Sequence, residues 1–348
     1  LSSGSTDGLP NIVLIEDYRI QGYLKSYPKA FADLSKIVDP DKFASYKLAV
    51  NTIDGKNYGL PFDSGVTGWF YRRDYLEQAG FKEQDLQNVT WDRFIEIARI
   101  VKEKTGHPIM SMDPSDLGLT RVIMQSAGSW YTKKDGKTVN IKDNKALKYG
   151  VNVEATLIKE GLIEQVSDWN GGVKAVQSGN VASSPNGSWY SSTIQGGKDQ
   201  SGKWGIAPIP NLKGIQSVNA SSLGGAGWYV LKGVPGEKKA IDFLGKTFAS
   251  NMDLMDRLAK EVGVVSTMVA AKDSATYQEE SEFYGGQKVF ADFSKWAAEV
   301  PEVNYGKDTY AIEAVMSEAL QRVVNGEKID DVFKEIQDQV EQQLNTSN

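Results

Sequence analysis

The sequence predicts an α/β fold in two lobes, with a ligand-binding cleft between them, and three observations carry this. The chain has 348 residues, of which 40% are hydrophobic, enough for two cores rather than one. The stretch 57–74, NYGLPFDSGVTGWFYRRD, reads as strand, polar break, strand. Pro61 marks an edge or crossing point, because a proline inside a sheet removes a ladder hydrogen bond. Asp63-Ser64-Gly65 is the break, and Val66, Gly68, Trp69, Phe70 and Tyr71 resume an apolar run of strand formers. A second stretch, Ser222-Leu223-Gly224-Gly225-Ala226-Gly227-Trp228-Tyr229-Val230, places glycines before another strand. Glycine permits close backbone approach to a ligand and the dihedral change of a hinge. Two such passages predict crossings near 62–66 and 223–228. With a further boundary at 294/295, they divide the chain into a first lobe of 1–64 with 227–294 and a second of 65–226 with 295–348.

The elements follow in order. Leu1 to Gly8 is Ser/Gly-rich and reads as a loop. Asn11 to Ile15 is a short apolar run, expected to be a fully buried parallel strand, and Glu16-Asp17-Tyr18 stand just past its end. Open α/β sheets bind ligands beyond the carboxyl ends of such strands. Short helices are expected over 33–37 and 39–50, the latter with Asp39 as cap and Pro40 in its first turn. Thr90 opens a clear helix in which Trp91, Phe94, Ile97, Ala98 and Val101 recur at helical spacing, closed by Gly106. Further helices are expected over 144–160, after Trp169, over 237–248, 252–260 and 310–324, and from Ile329 to Leu344. Each lobe is therefore read as a mostly parallel sheet flanked by helices.

Composition narrows the function. A formal net charge of −6 and a pI near 5.2 argue against a nucleic-acid partner, which requires clustered Lys and Arg. No cysteine is present and only one histidine, His107, which excludes thiolate chemistry and leaves a catalytic triad poorly supplied. No clustered metal-ligand motif occurs, so no metal or cofactor is expected. The glycine-rich stretch lacks both the G-x-G-x-x-G pattern and a Gly-Lys-Ser/Thr ending, against a nucleotide loop. The 8 Trp and 15 Tyr are well suited to sugars, whose CH faces stack on aromatic rings while their hydroxyls bond planar polar groups. Trp130, Trp169, Trp189 and Trp228 stand beside Gly, Ser, Asn or Asp in loops, although a core role competes for each. The rival class is a secreted carbohydrate-active hydrolase, since 45 Asp and Glu could include a catalytic carboxylate pair.

Several ordered motifs resemble the bacterial extracellular solute-binding proteins, the carbohydrate receptors of ABC importers related to maltose-binding protein. They are Tyr58-Gly59-Leu60-Pro61-Phe62-Asp63 with its aromatic run, Gly128-Ser129-Trp130 before Asp135-Gly136-Lys137, and Ser178-Gly179-Asn180-Val181-Ala182. Asn186-Gly187-Ser188-Trp189, Gly205 to Pro210 and Phe283-Tyr284-Gly285-Gly286-Gln287 complete them. The resemblance implies the two-lobed periplasmic-binding-protein fold (type II) and a monomer that closes on an oligosaccharide and delivers it to the transmembrane subunits of an ABC permease. It implies an extracytoplasmic location, as a membrane-anchored lipoprotein on a Gram-positive cell surface or in the periplasm. It also implies β-α-β elements ahead of Gly8 that the first lobe as written lacks. The ligand-binding residues it implies are Glu16, Asp17, Tyr18, Asp63, Ser64, Trp130, Trp169, Trp189, Gly225, Trp228 and Tyr284, with Trp189 as the principal stacking ring.

Overall fold

The computed structural model describes residue 1 and residues 5–346. The strands are β1 (Ile12–Glu16), β2 (Thr52–Ile53), β3 (Lys56–Asn57), β4 (Leu60–Asp63), β5 (Thr67–Arg72), β6 (Met110–Met112), β7 (Ile163–Gln165), β8 (Ser183–Gly187), β9 (Trp204–Ala207) and β10 (Ala226–Val230). The helices are α1 (Asp17–Ser26), α2 (Ser45–Asn51), α3 (Arg73–Gln78), α4 (Trp91–Thr105), α5 (Gly118–Ser126), α6 (Lys145–Lys159), α7 (Trp169–Gln177) and α8 (Ser191–Ile194). They continue with α9 (Glu237–Lys246), α10 (Met252–Val262), α11 (Val289–Ala297), α12 (Thr309–Val324) and α13 (Ile329–Thr346).

One sheet has the order β1-β10-β4 and another β8-β5-β9. In the first, Phe31 and Val50 pack with Tyr229 on one face, and Ala240, Leu244 and Met255 from α9 and α10 pack with Leu60 and Val230 on the other. In the second, strand alternation sends Trp69 toward Phe94 of α4, with ring centroids 5.0 Å apart, and Phe70 toward Phe293 of α11 at 5.9 Å. The chain passes from β4 to β5 through Ser64–Val66 and returns through Ser221–Gly225 into β10, and Val66 bridges Ser222 where the two passages run side by side. The strand, break and strand anticipated over 57–74 are therefore present.

The pairing directions differ from expectation. Both three-stranded sheets are antiparallel, and among the named strands β6 and β7 pair in parallel. The cause is topological: β4 carries the chain out across the junction and β10 brings it back beside β4, so the neighbours run in opposite senses. β1 is likewise antiparallel to β10 and not fully buried, with Leu14 49% exposed. Residues 33–37 form turns rather than a helix. Asp39 caps only a short 3₁₀ turn (Pro40–Lys42), accepting from Asp41 N at 3.2 Å, before α2 begins at Ser45. The helix from Thr90 is as expected, its hydroxyl accepting from Arg93 N at 3.2 Å and Gly106 closing it in the left-handed conformation.

Candidate functional site

The registers Glu16↔Ala226 and Ala226↔Asp63 bring the ends of β1, β10 and β4 onto one line. Glu16, Asp17, Asp63, Ser64 and Gly225, spread over more than two hundred residues of sequence, therefore meet at the junction of the two sheets. Asp17 N donates to Gly225 O at 3.1 Å. Gly225 has φ +83°, and a Cβ on it would lie 2.8 Å from Lys47 Nζ, 2.9 Å from Asp17 Oδ2 and 3.1 Å from Asp63 O. Only glycine fits this conformation and this space. Asp17 and Lys47 form a fully buried ion pair. Burial pushes the Asp17 carboxyl up to about 6, against the opposing pull of Lys47. Asp63 is raised for the same reason, with Lys47 and the Gly65 N–H acting against it. Ser64 is buried, its Oγ accepting from Val66 N at 3.2 Å and its carbonyl from Tyr46 OH at 2.7 Å.

The aromatic candidates divide into groups. Trp189 follows β8 in a 3₁₀ turn and donates its Nε1 to Leu223 O of the second crossing at 2.9 Å. Trp169 opens α7, where Asp168 Oδ1 caps the helix by accepting from Gly171 N at 2.8 Å. It is 55% exposed, and its ring lies 5.8 Å from that of Trp189 at 35°. Tyr190 braces both edge-on at 5.6 and 5.8 Å. This pair is an aromatic surface beside the glycines of the crossing. Trp130 is buried instead: it stacks on Tyr18 at 5.4 Å, touches Tyr305 at 4.6 Å and donates to Thr309 Oγ1 at 2.9 Å, so protein rings flank it. Trp228 packs between Phe62 and Phe248 at 5.3 and 5.2 Å. Tyr284 is buried against Phe70, its OH 2.7 Å from Ser191 Oγ, at the wall of a 650 Å³ groove between 188–196 and 259–265. Tyr18 is buried, accepting from Gly224 N at 3.2 Å.

Other residues that meet here were not anticipated. Tyr310 OH donates to both Glu16 oxygens at 2.8 and 2.7 Å, and the Arg19 guanidinium sits 4.3 Å over the Tyr310 ring. Arg121 lies 5.1 Å over the ring of Tyr18 and pairs with Glu313 at 3.2 Å. Aromatic residues at helix starts, as at Trp189, were a usable signal for Tyr310. None existed for Lys47, because a single lysine in a short helical stretch reads as solvated. Among the described residues no cluster of His, Cys, Asp and Glu could hold a metal, and no helix is long and apolar enough to cross a membrane.

The profile of bacterial extracellular solute-binding proteins matches residues 1–285. The lactose-binding protein of Rhizobium radiobacter is 45% identical over 344 residues, 99% of this chain and 81% of that protein. Among solved structures, an extracellular solute-binding protein of family 1 superposes with a TM-score of 0.80 at 20% identity, covering 98% of this chain and 87% of the other. The ABC transporter-associated binding protein of B. animalis subsp. lactis Bl-04, in complex with β-1,6-galactobiose, does so with a TM-score of 0.77 at 22% identity, covering 98% and 87%. The fold is thus the two-lobed one of this class.

Proposed function

Because this chain belongs to the bacterial extracellular solute-binding proteins, a family of receptors rather than enzymes, we propose that it captures a sugar between its lobes for an ABC importer. The observation that carries the reading is the tilted Trp169–Trp189 pair, with Trp169 exposed and Trp189 partly buried, next to a line of carboxylates at the strand ends. Rings of this kind stack on the apolar face of a pyranose, and Asp17, Asp63 and Glu16 accept from its hydroxyls. The likeness to the lactose-binding protein makes a lactose-like disaccharide the first ligand to test, with longer oligosaccharides next. The lobes divide at the crossings near 62–66 and 223–228. The bridge of Ser266 to Asp63 and the packing of Tyr284 on Phe70 favour a third passage between these residues, ahead of α11, over a boundary at 294. In this reading the protein works as a monomer outside the cytoplasm, tethered by a lipid or free in the periplasm, and the closed form docks on the permease.

The test is calorimetric titration with lactose, galactose, maltose and cellobiose, with chromatography of each sugar afterwards. Lactose should bind and be recovered intact. Trp189→Ala should weaken binding by about 2 kcal/mol, roughly thirtyfold in Kd, the usual cost of truncating a central aromatic contact. A consumed sugar would instead establish a hydrolase, and unchanged affinity in the variant would remove Trp189 from the site.

A further inference from the structure

α2 carries Tyr46 and Lys47 at adjacent positions, and both side chains are buried. Tyr46 OH donates to Ser64 O of the first crossing at 2.7 Å. Lys47 Nζ pairs with Asp17 and lies against Gly225 of the second, where a Cβ would come within 2.8 Å of it. One seven-residue helix therefore touches both passages between the lobes. Burying an ammonium group is costly even when it is paired, and an apolar side chain of similar volume would fill the same space at lower cost. The charge is better explained by what it does to its neighbours.

Those neighbours are mostly acidic or phenolic. Asp17 is faced by Lys47 and Tyr46 from α2, Glu16 from β1, Asp63 from β4, Tyr229 from β10 and Tyr305 from the loop before α12. Lys47 is the cation in this set, and it acts on Asp17 and Asp63 together. Asp17 Oδ1 is buried and accepts no hydrogen bond among the described residues. We propose that Lys47 is a positioning residue for sugar capture: without touching the sugar, it holds the Asp17 carboxylate in place as a hydroxyl acceptor at the strand ends and offsets the charge of Asp17 and Asp63 side by side. This rests on the sugar-binding reading above. Without Lys47, two neighbouring carboxylates in a water-poor site resist carrying charge together, and one acceptor is lost.

The experiment measures the Kd for lactose between about pH 5 and pH 9, and the ligand-free Tm, for the wild type, Lys47→Met, Asp17→Asn and the double variant Lys47→Met/Asp17→Asn. The single Lys47→Met variant leaves an unpaired buried carboxylate and could fail to fold. The double variant removes both charges with little change of shape and keeps the test decisive. Wild-type affinity should fall below about pH 6, where Asp17 takes up a proton. Lys47→Met should bind about tenfold or more weakly at neutral pH, with that fall displaced to higher pH. The double variant should regain wild-type Tm without regaining affinity. If affinity returns together with Tm, or if the single variant binds with the wild-type pH profile, Lys47 is a structural filler and the proposal fails while sugar binding stands. If the wild type binds no sugar of the panel, the underlying reading fails and this proposal with it.

Discussion

Glu154 illustrates how much a single buried group contributes to the behaviour of the chain. It lies on α6 with no exposed surface. Its Oε1 accepts from Thr120 N in the first turn of α5 at 2.7 Å, and its Oε2 is buried without a partner. Burial pushes its carboxyl up to about 8, with Asp116 and Glu313 adding to the effect and the Thr120 N–H opposing it. A carboxyl raised in the folded state favours folding while it is protonated. That contribution is complete below the unfolded value of 4.5 and is lost as pH rises through about 8. Glu154→Gln keeps the acceptor for Thr120 and cannot ionise. Its stability relative to wild type should therefore improve by about 3–4 kcal/mol between about pH 5 and pH 9, measured by urea unfolding at both pH values, and parallel pH dependences would contradict this. Of the candidate site residues, Trp189 was legible because an Asn-Gly-Ser-Trp turn puts a large ring where no helical period requires one. Tyr310 meets Glu16 across 294 positions, a pairing that no local pattern encodes.

At the scale of elements, the two crossings are packed backbone on backbone. Gly65 has φ +61°, and a Cβ there would lie 2.9 Å from Gly225 N and 3.0 Å from Gly224 C, main-chain atoms with no flexible end to yield. Gly65→Ala should thus combine the cost of a left-handed backbone, about 1–2 kcal/mol, with a clash of about 1–3 kcal/mol more. Gly214→Ala is the control, since Gly214 has φ +74° with nothing within 4 Å of its Cβ position. Chemical denaturation of both should show the larger loss at position 65, and equal losses would mean that the crossings are free to separate. These passages were legible because proline, glycine and short polar residues interrupt apolar runs at defined points. The direction of the strands was not. An apolar run of five residues looks the same whichever way its partner runs, and the partner is fixed by contacts such as Ile12↔Val230. The turns at 33–37 were mistaken for a helix for a related reason: Leu34 is fully buried, but its burial comes from packing with Val230 and Leu244 rather than from a helical stripe.

For the whole molecule, the question is what holds the two halves together before a sugar does. Tyr18, at the start of α1, is gripped by Trp130 at 5.4 Å, Tyr305 at 4.8 Å and Tyr310 at 6.4 Å, with the Arg121 guanidinium at 5.1 Å from its ring. Its hydroxyl also meets the second crossing through Gly224 N. Aromatic contacts of this kind contribute about 0.5–1.5 kcal/mol each beyond their buried area, enough to bias a balance between open and closed lobes without fixing it. Tyr18→Ala should therefore shift ligand-free molecules toward the open form, enlarging the radius of gyration seen by small-angle scattering, and should weaken lactose binding. Saturating lactose should return the variant to wild-type dimensions, because the sugar favours closure through its own contacts. The rise of the unfolding free energy at one fixed temperature with the logarithm of lactose concentration should keep the same limiting slope in both proteins, since that slope reports one bound ligand per folded chain while the affinity sets only where the rise begins. Identical scattering curves for the ligand-free variant and wild type would mean that the Tyr18 cluster is ordinary core. An altered slope would mean that the variant binds with a different stoichiometry, which a single cleft between two lobes does not allow.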